Sequence, residues 1–308
     1  MTIPASIKNR LTLPAIAAPM FLVSGPDLVI ATCKAGVIGS FPAMNARTST
    51  EFADWMTKII EETGPYAAPY AVNFPLSRMK GGQLDDYFDI CRKYRTPIII
   101  TSVGNPASIV DEIHDWGGLV FHDVTTVHHA KKAVAAGVDG LILVCAGAGG
   151  HAGAATPFAL VEQVRAFFDG ILIVAGGIST GRAIRAAEVL GADLAYLGTR
   201  FIATKEAMAE EDYKNMILQE ETQDIVYTNS ISGLPANFMR SSLQAVGLDA
   251  NDLPKPEGPF RPNLPDGITA WKSVWSAGQG VGLIEDSPST ADLVLQMTAE
   301  YQSACAMD

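Results

Sequence analysis

Residues 145–157 read CAGAGGHAGAATP, directly after the apolar run LILVC that closes at Cys145. Alanine and glycine surround a single imidazole, His151. An ordinary imidazole titrates near neutral pH and can therefore take or give a proton under working conditions. His151 is the candidate base, set against the plainer reading of a satisfied core histidine in a glycine-rich turn. Two further motifs point to an anion. Gly176-Gly177 ends the run ILIVAGG, and Gly198-Thr199-Arg200 ends the run LAYLGTR. Glycines at strand ends let backbone N–H groups approach a phosphate without obstruction, and a threonine adds a hydroxyl donor. Ser179 and Thr180 open the next helical stretch, whose positive end would add to the same pocket.

Other side chains carry weaker signals. In VFHDVT, His122 is a candidate for phosphate or substrate binding and its neighbour Asp123 is a candidate acid. Cys145 has no basic neighbour in sequence, so an inert buried thiol is expected. His114, His128 and His129 lie in helical stretches without the spacing of a zinc motif. No metal site is expected. An aldolase or isomerase would want a catalytic lysine or paired carboxylates at strand ends, and no lysine ends a strand, which argues against that class.

These residues need elements to hold them. Short apolar runs recur at 15–19, 37–41, 70–74, 97–101, 119–123, 141–145, 171–177 and 194–201, each pair separated by a stretch with helical spacing. Several of those stretches begin at Ser, Thr or Pro and end at Gly, as helices do. Eight strands alternating with helices predict an α/β fold, a (β/α)8 TIM barrel rather than an open doubly wound sheet. Chemistry in such a barrel sits at the carboxyl ends of the strands, with phosphate held after strands seven and eight. The period breaks after Ala203. A polar, helix-forming stretch follows, and then LPKPEGPFRPNLPDG, which no regular helix accommodates. Residues 206–270 are therefore expected to form an inserted, mainly helical lobe on the substrate side after strand eight. Residues 1–205 and 271–308 would make the barrel.

Composition bounds the partners. Hydrophobic residues make up 48% of the 308 and charged residues 18%, enough apolar side chain for a large core. The formal net charge of −11 disfavours nucleic acid and anionic membranes and leaves small molecules as the expected partners. The cysteines at 33, 91, 145 and 305 form no CxxC pair, and no signal peptide precedes them, so a cytoplasmic setting is expected. No apolar run approaches the roughly 20 residues that span a bilayer. The exposed helices carry no self-evident interface pattern, and the oligomeric state stays open.

As a set, AAPM (17–20), AVNF (71–74), AGAGGHAG (146–153), AGGI (175–178), LGTRF (197–201) and WSAGQGVGLI (275–284) resemble the nitronate monooxygenases, formerly 2-nitropropane dioxygenases, within the FMN-dependent TIM barrels. The resemblance covers most of the chain. It implies that the backbone of Ala18, Pro19 and Met20 lies along a flavin ring and that Asn73 sits near its edge or phosphate. It implies too that Gly149 and Gly150 flank the cofactor, and that Gly176, Gly177, Gly198 and Thr199 hold the phosphate. Ala277, Gly278 and Gln279 would reach back to the ring, His151 would be the base, and Met20, His122 and His151 would face substrate. The implied reaction is oxidation of alkyl nitronates, or nitroalkanes, with O2 to carbonyl compounds and nitrite. Barrels of the same plan also serve as NAD(P)H-dependent quinone or enoyl-thioester reductases, and a flavin-binding regulatory module is the non-enzymatic alternative. VFHDVTTVHHA and the flanks of His151 depart from the family pattern.

Overall fold

The computed structural model describes residues 3–79 and 82–307. The first half of the chain runs α1 (Ala5–Lys8), β1 (Ala15–Ala17), α2 (Pro26–Lys34), β2 (Gly39–Pro42), α3 (Ser49–Thr63), β3 (Tyr70–Pro75), α4 (Gly82–Lys93) and β4 (Ile98–Ser102). It continues through α5 (Val110–Asp115), β5 (Leu119–Val124), α6 (Val127–Ala135), β6 (Gly140–Val144), β7 (Gly150–His151), α7 (Pro157–Arg165), β8 (Ile171–Ala175) and α8 (Gly181–Leu190). The last part holds β9 (Leu194–Leu197), α9 (Thr199–Ile202), α10 (Glu211–Ile217), β10 (Ile225–Thr228), β11 (Ala236–Met239), α11 (Arg240–Ala245) and α12 (Thr290–Cys305).

Eight of these strands form one parallel sheet in the order β1-β9-β8-β6-β5-β4-β3-β2. A parallel bridge between Ile16 and Ile38 brings β1 back to β2 and closes the ring, so the fold is the (β/α)8 barrel that the apolar period predicts. Strand alternation then sorts the side chains. Ile16, Ile38, Ala71, Ile98, Ile100, Phe121, Ile142, Ile171, Ile173 and Leu194 fill the barrel interior. Val72, Ile99, Val120, Val124, Leu141, Leu143, Leu172 and Val174 pack outward beneath the helices. Both faces are buried, which is why the strands read as mostly apolar runs, broken by polar residues such as Ser40, Asn73, Thr101 and Asp123.

Helix starts follow local chemistry. The side chains of Thr48, Thr126, Thr180 and Ser289 each accept a hydrogen bond from a first-turn backbone N–H of α3, α6, α8 and α12. The helix that completes the barrel is α12, which returns from the far end of the sequence to pack on α8 and α2. The α8 contact is so close that a Cβ on Gly181 would stand 1.9 Å from the Met297 carbonyl oxygen.

Between α9 and α12 lies the segment over the mouth. It holds α10, α11 and the antiparallel pair β10–β11, the latter not evident in sequence, followed by irregular chain. The lobe has its own core of Ile231, Ala236, Phe238, Leu243, Leu248 and Val274, whereas Tyr213 and Ile217 of α10 pack into the barrel's outer layer. The run 194–201 also divides: the strand stops at Leu197, and Thr199 starts a helical turn. No helix among the described residues is long and apolar enough to cross a membrane.

Candidate active site

A cavity of about 370 Å³ opens at the carboxyl ends of the barrel strands. Its floor is the last inward-facing layer of the barrel: Ala18, Asn73, Ser102, Asp123, Val144, Ala175 and Tyr196. Glycines 149, 150, 176, 177 and 198 and Thr199 form its walls, and His151, Trp271 and Arg78 stand at its mouth. Ala18, Pro19, Met20, Asn73, Gly149, Gly150, His151, Gly176, Gly177, Gly198, Thr199 and Gly278 are thus brought together as expected from sequence, and Met44 joins them.

Three expected residues are not part of the lining. His122 does not line this cavity: it shares the outward parity of Val120 and Val124, and its neighbour Asp123 turns inward instead. Its ring is packed behind the barrel wall with Nδ1 2.7 Å from Thr101 Oγ1, and it borders a separate cleft with His129 and Lys132. His122 therefore does not face a substrate in this cavity, contrary to the expectation from sequence. Gln279 is exposed and not itself part of the lining, though its side chain lies alongside Gly147, which is. Ala277 is fully buried in the outer core. The tail acts instead through Gly278, whose N–H donates to Thr199 Oγ1 at 2.8 Å.

His151 owes its position to three partners distant in sequence. The two residues of β7 pair with β11, Ala236 opposite His151 and Asn237 opposite Gly150, so the loop becomes the third strand of the lobe's ribbon. Asn237 Nδ2 donates to the Ala148 carbonyl at 2.7 Å, and Gly150 N–H donates to Ser276 Oγ at 2.6 Å. Tyr227 OH donates to the Ala152 carbonyl at 3.1 Å. These contacts explain the small residues around the imidazole. A Cβ on Gly149 would lie 3.0 Å from the Gly278 nitrogen, and Gly150 sits at φ +70°, a conformation that side chains disfavour. The loop is stripped so that the lobe and tail can grip its backbone.

The ring itself is held by aromatic edges. Trp271 meets it edge-on at 4.9 Å between centroids and Phe260 at 6.5 Å, while the Arg78 guanidinium lies 4.4 Å from the Phe260 ring centre. Phe260 and Trp271 both adopt positive φ, near +60°, as does cavity-lining Val103 at +47°. Such backbone is costly for bulky side chains and concentrates where a site is built. His151 Nε2 is buried without a hydrogen-bond partner. Burial first, and the Arg78 charge second, lower its pKa to about 4, so at neutral pH the ring is uncharged and able to accept a proton.

Sequence reasoning missed Trp271, Phe260 and Arg78, which lie in irregular chain with no periodic signal, and Tyr196, which reads as an ordinary apolar strand residue. Asp123 was visible as a candidate acid. Burial alone raises its pKa to about 7. Burial also pushes the Cys145 thiol up to about 12, in keeping with an inert core residue.

Residues 47–300 match the family described as nitronate monooxygenase. A nitronate monooxygenase of Paraburkholderia phytofirmans is 29% identical across 94% of this chain and 93% of its own length. In Rhodococcus jostii, the (3aS,4S,5R,7aS)-5-hydroxy-7a-methyl-1-oxo-octahydro-1H-indene-4-carboxyl-CoA dehydrogenase is 26% identical over 75% of this chain and 63% of its own. Among solved structures, the nitroalkane oxidase of Streptomyces ansochromogenes superposes with a TM-score of 0.82 at 24% identity, covering 98% of this chain and 99% of that one. FabK from Thermotoga maritima gives 0.79 at 24%, covering 99% and 98%. At such identities the two structures speak for the barrel alone. The match across 47–300, made by a chain whose lone cavity histidine stands among strand-end glycines, shows that this protein is an oxidoreductase belonging to the nitronate monooxygenase family.

Proposed function

We propose that the protein is an FMN-dependent nitronate monooxygenase, oxidising alkyl nitronates, and nitroalkanes once an α-proton is removed, with O2 to carbonyl compounds and nitrite. The observation that carries this reading is the neutral, unpartnered Nε2 of His151 in the glycine-walled cavity.

The residues present fit FMN. A Cβ on Gly177 would meet nothing within 4 Å, so the glycine leaves open space beside the strand ends where a phosphate is to be held. The buried Ser179 hydroxyl close by has no partner, and the N-terminal end of α8, capped by Thr180, adds a favourable dipole. Gly176, Gly177, Gly198 and Thr199 would hold the phosphate. Asn73 would meet the ring: its Nδ2 already reaches the Ile100 carbonyl and Ser102 Oγ, which leaves Oδ1 to accept from a ligand. Ala18, Pro19, Met20, Gly149 and Gly150 would border the ring through backbone. When bound, FMN supplies the electron acceptor that no side chain provides.

The chain's own residues do the rest. His151 Nε2 accepts the α-proton of a neutral nitroalkane, or leaves a preformed nitronate untouched. Arg78 gives the mouth a positive charge that draws in the anion. Once the anion offsets that charge, the ring's basicity rises. Trp271 and Phe260 exclude water around the imidazole. The same proposal takes 206–270 as the substrate-side lobe, its core shared with Val274 and its helix α10 packed on the barrel, and the flanking segments as the cofactor-binding barrel.

The test is anaerobic mixing of FMN-loaded protein with propyl nitronate and, separately, with NADH. Loss of the yellow absorbance with nitronate but not with NADH supports the monooxygenase. The similarity to a carboxyl-CoA dehydrogenase favours a second reading, an NAD(P)H-linked enzyme of thioester substrates. Rapid bleaching by NADH with no response to nitronate would transfer the protein to that class.

A further inference from the structure

Two polar side chains of the cavity floor have no part in the reaction above. Asp123 and Tyr196 point inward from the ends of β5 and β9, and the Asp123 Oδ1 and the Tyr196 hydroxyl are both buried with no hydrogen-bond partner. Their companions in the floor include Ala18, Val144 and Ala175, whose side chains offer no hydrogen bond. Buried polar groups in folded proteins are nearly always satisfied, so a pair left open toward one cavity marks where a ligand's polar edge belongs.

The charge state of the carboxyl follows from what faces it. On β9 stands Tyr196, close enough to sense the carboxyl electrostatically and itself held neutral by burial. His151 and Arg78 are at the cavity mouth, while His122, His129 and Lys132 border the cleft behind, of which Asp123 forms part of the wall. None of these compensates a negative charge on Asp123: desolvation is the one influence of note, and it lifts the carboxyl to about 7. Below that pH the carboxyl keeps its proton and is a donor.

We propose that Asp123, together with the Tyr196 hydroxyl on the same cavity floor, is a hydrogen-bonding cofactor contact that holds the carbonyl and ring-nitrogen edge of the flavin. The inference rests on the reading that the cavity takes FMN. An ionised Asp123 loses its donor and sets its negative charge against the lone pairs of that carbonyl and ring-nitrogen edge. Cofactor retention is therefore linked to protonation of one floor residue, separate from the base at the mouth.

The experiment is FMN titration of the apoprotein by flavin fluorescence quenching, from about pH 5.5 to about pH 8.5, for wild type, Asp123→Asn and Tyr196→Phe. Ionisation of the FMN phosphate affects all variants alike, so the readout is the difference between profiles. Wild-type affinity should fall relative to Asp123→Asn by up to about tenfold per pH unit above the carboxyl's titration, while the two nearly agree at the acid end. Tyr196→Phe should bind more weakly while keeping the wild-type pH profile. Infrared spectra of the apoprotein below pH about 6.5 should show a protonated carboxyl band that Asp123→Asn lacks. Superimposable wild-type and Asp123→Asn profiles, or no such band, would overturn the inference and leave the proposed function standing. Failure of every variant, wild type included, to bind FMN would overturn both.

Discussion

At the scale of the residue, His151 and Asp123 titrate in opposite directions from their ordinary values, and pH separates them. His151 and His122 are both pushed down to about 4, chiefly by burial, so the unfolded chain takes up protons at its histidines before the folded one does. Their stability contribution is intact above the ordinary value of 6.5 and drains away as pH falls from there to about 4. His122→Asn, outside the cavity, should flatten the fall of Tm across that window. Asp123 runs the other way. The folded state holds its proton up to about 7, so its contribution weakens as pH rises from 3.8 to that point. In catalysis, His151→Ala should lower kcat/KM for a neutral nitroalkane by about 10²-fold or more, the scale of a lost general base, and should affect a preformed nitronate far less. Equal losses on both would show the ring to be a binding group instead. Of these residues, His151 was legible because nothing else in its neighbourhood could do chemistry. His122 misled because the pair His-Asp does not say which member points inward. The parity it shares with Val120 and Val124 did, and needed only the strand register to be read.

At the scale of the element, all eight barrel strands were legible because parallel strands buried on both faces leave mostly apolar runs. The ribbon β10–β11 was not: Ile225–Thr228 is half-exposed and short, and its sheet is completed by Gly150–His151, two residues with no strand character of their own. Pairing of that kind is a tertiary event that no local pattern announces. The packing of α12 on α8 is similarly hidden, resting on a glycine within a helix. Gly181→Ala would drive a methyl group into the Met297 backbone carbonyl, which cannot rotate away. The variant should lose about 1–3 kcal/mol, the usual range for overpacking, and melt several degrees lower; calorimetry of the two proteins checks it. An unchanged Tm would mean that the helices separate freely and that α12 contributes little to closing the barrel.

For the whole molecule, binding should couple cavity to fold. In the proposed binding mode FMN would engage residues from β3, the β8–α8 turn and the β9–α9 turn, and so would stabilise only the closed ring. At free FMN a hundredfold above its dissociation constant, the native state gains about 2.7 kcal/mol, and Tm should rise with FMN concentration. A melting temperature indifferent to FMN would argue for an occupant other than flavin. The acidic surface, at a net −11, gives no general attraction for an anionic substrate. Local charge has to do that work, and Arg78 at the mouth is placed for it. Arg78→Gln should raise KM for nitronate while leaving KM for the neutral nitroalkane nearly unchanged, as steady-state kinetics at low salt would show.

The grip on Gly150 by Asn237 and Ser276 sets an order in time as well as a position in space. A ribosome completes His151 at about the midpoint of the chain, yet Ser276, whose hydroxyl receives the Gly150 N–H, is still 126 residues from its neighbour in sequence. Until then the loop that carries the imidazole has only its local backbone hydrogen bonds, such as Ala146 N–H to the Ala155 carbonyl and Gly153 N–H to the Val144 carbonyl. The imidazole acquires its geometry only when the lobe and tail have been made and have docked.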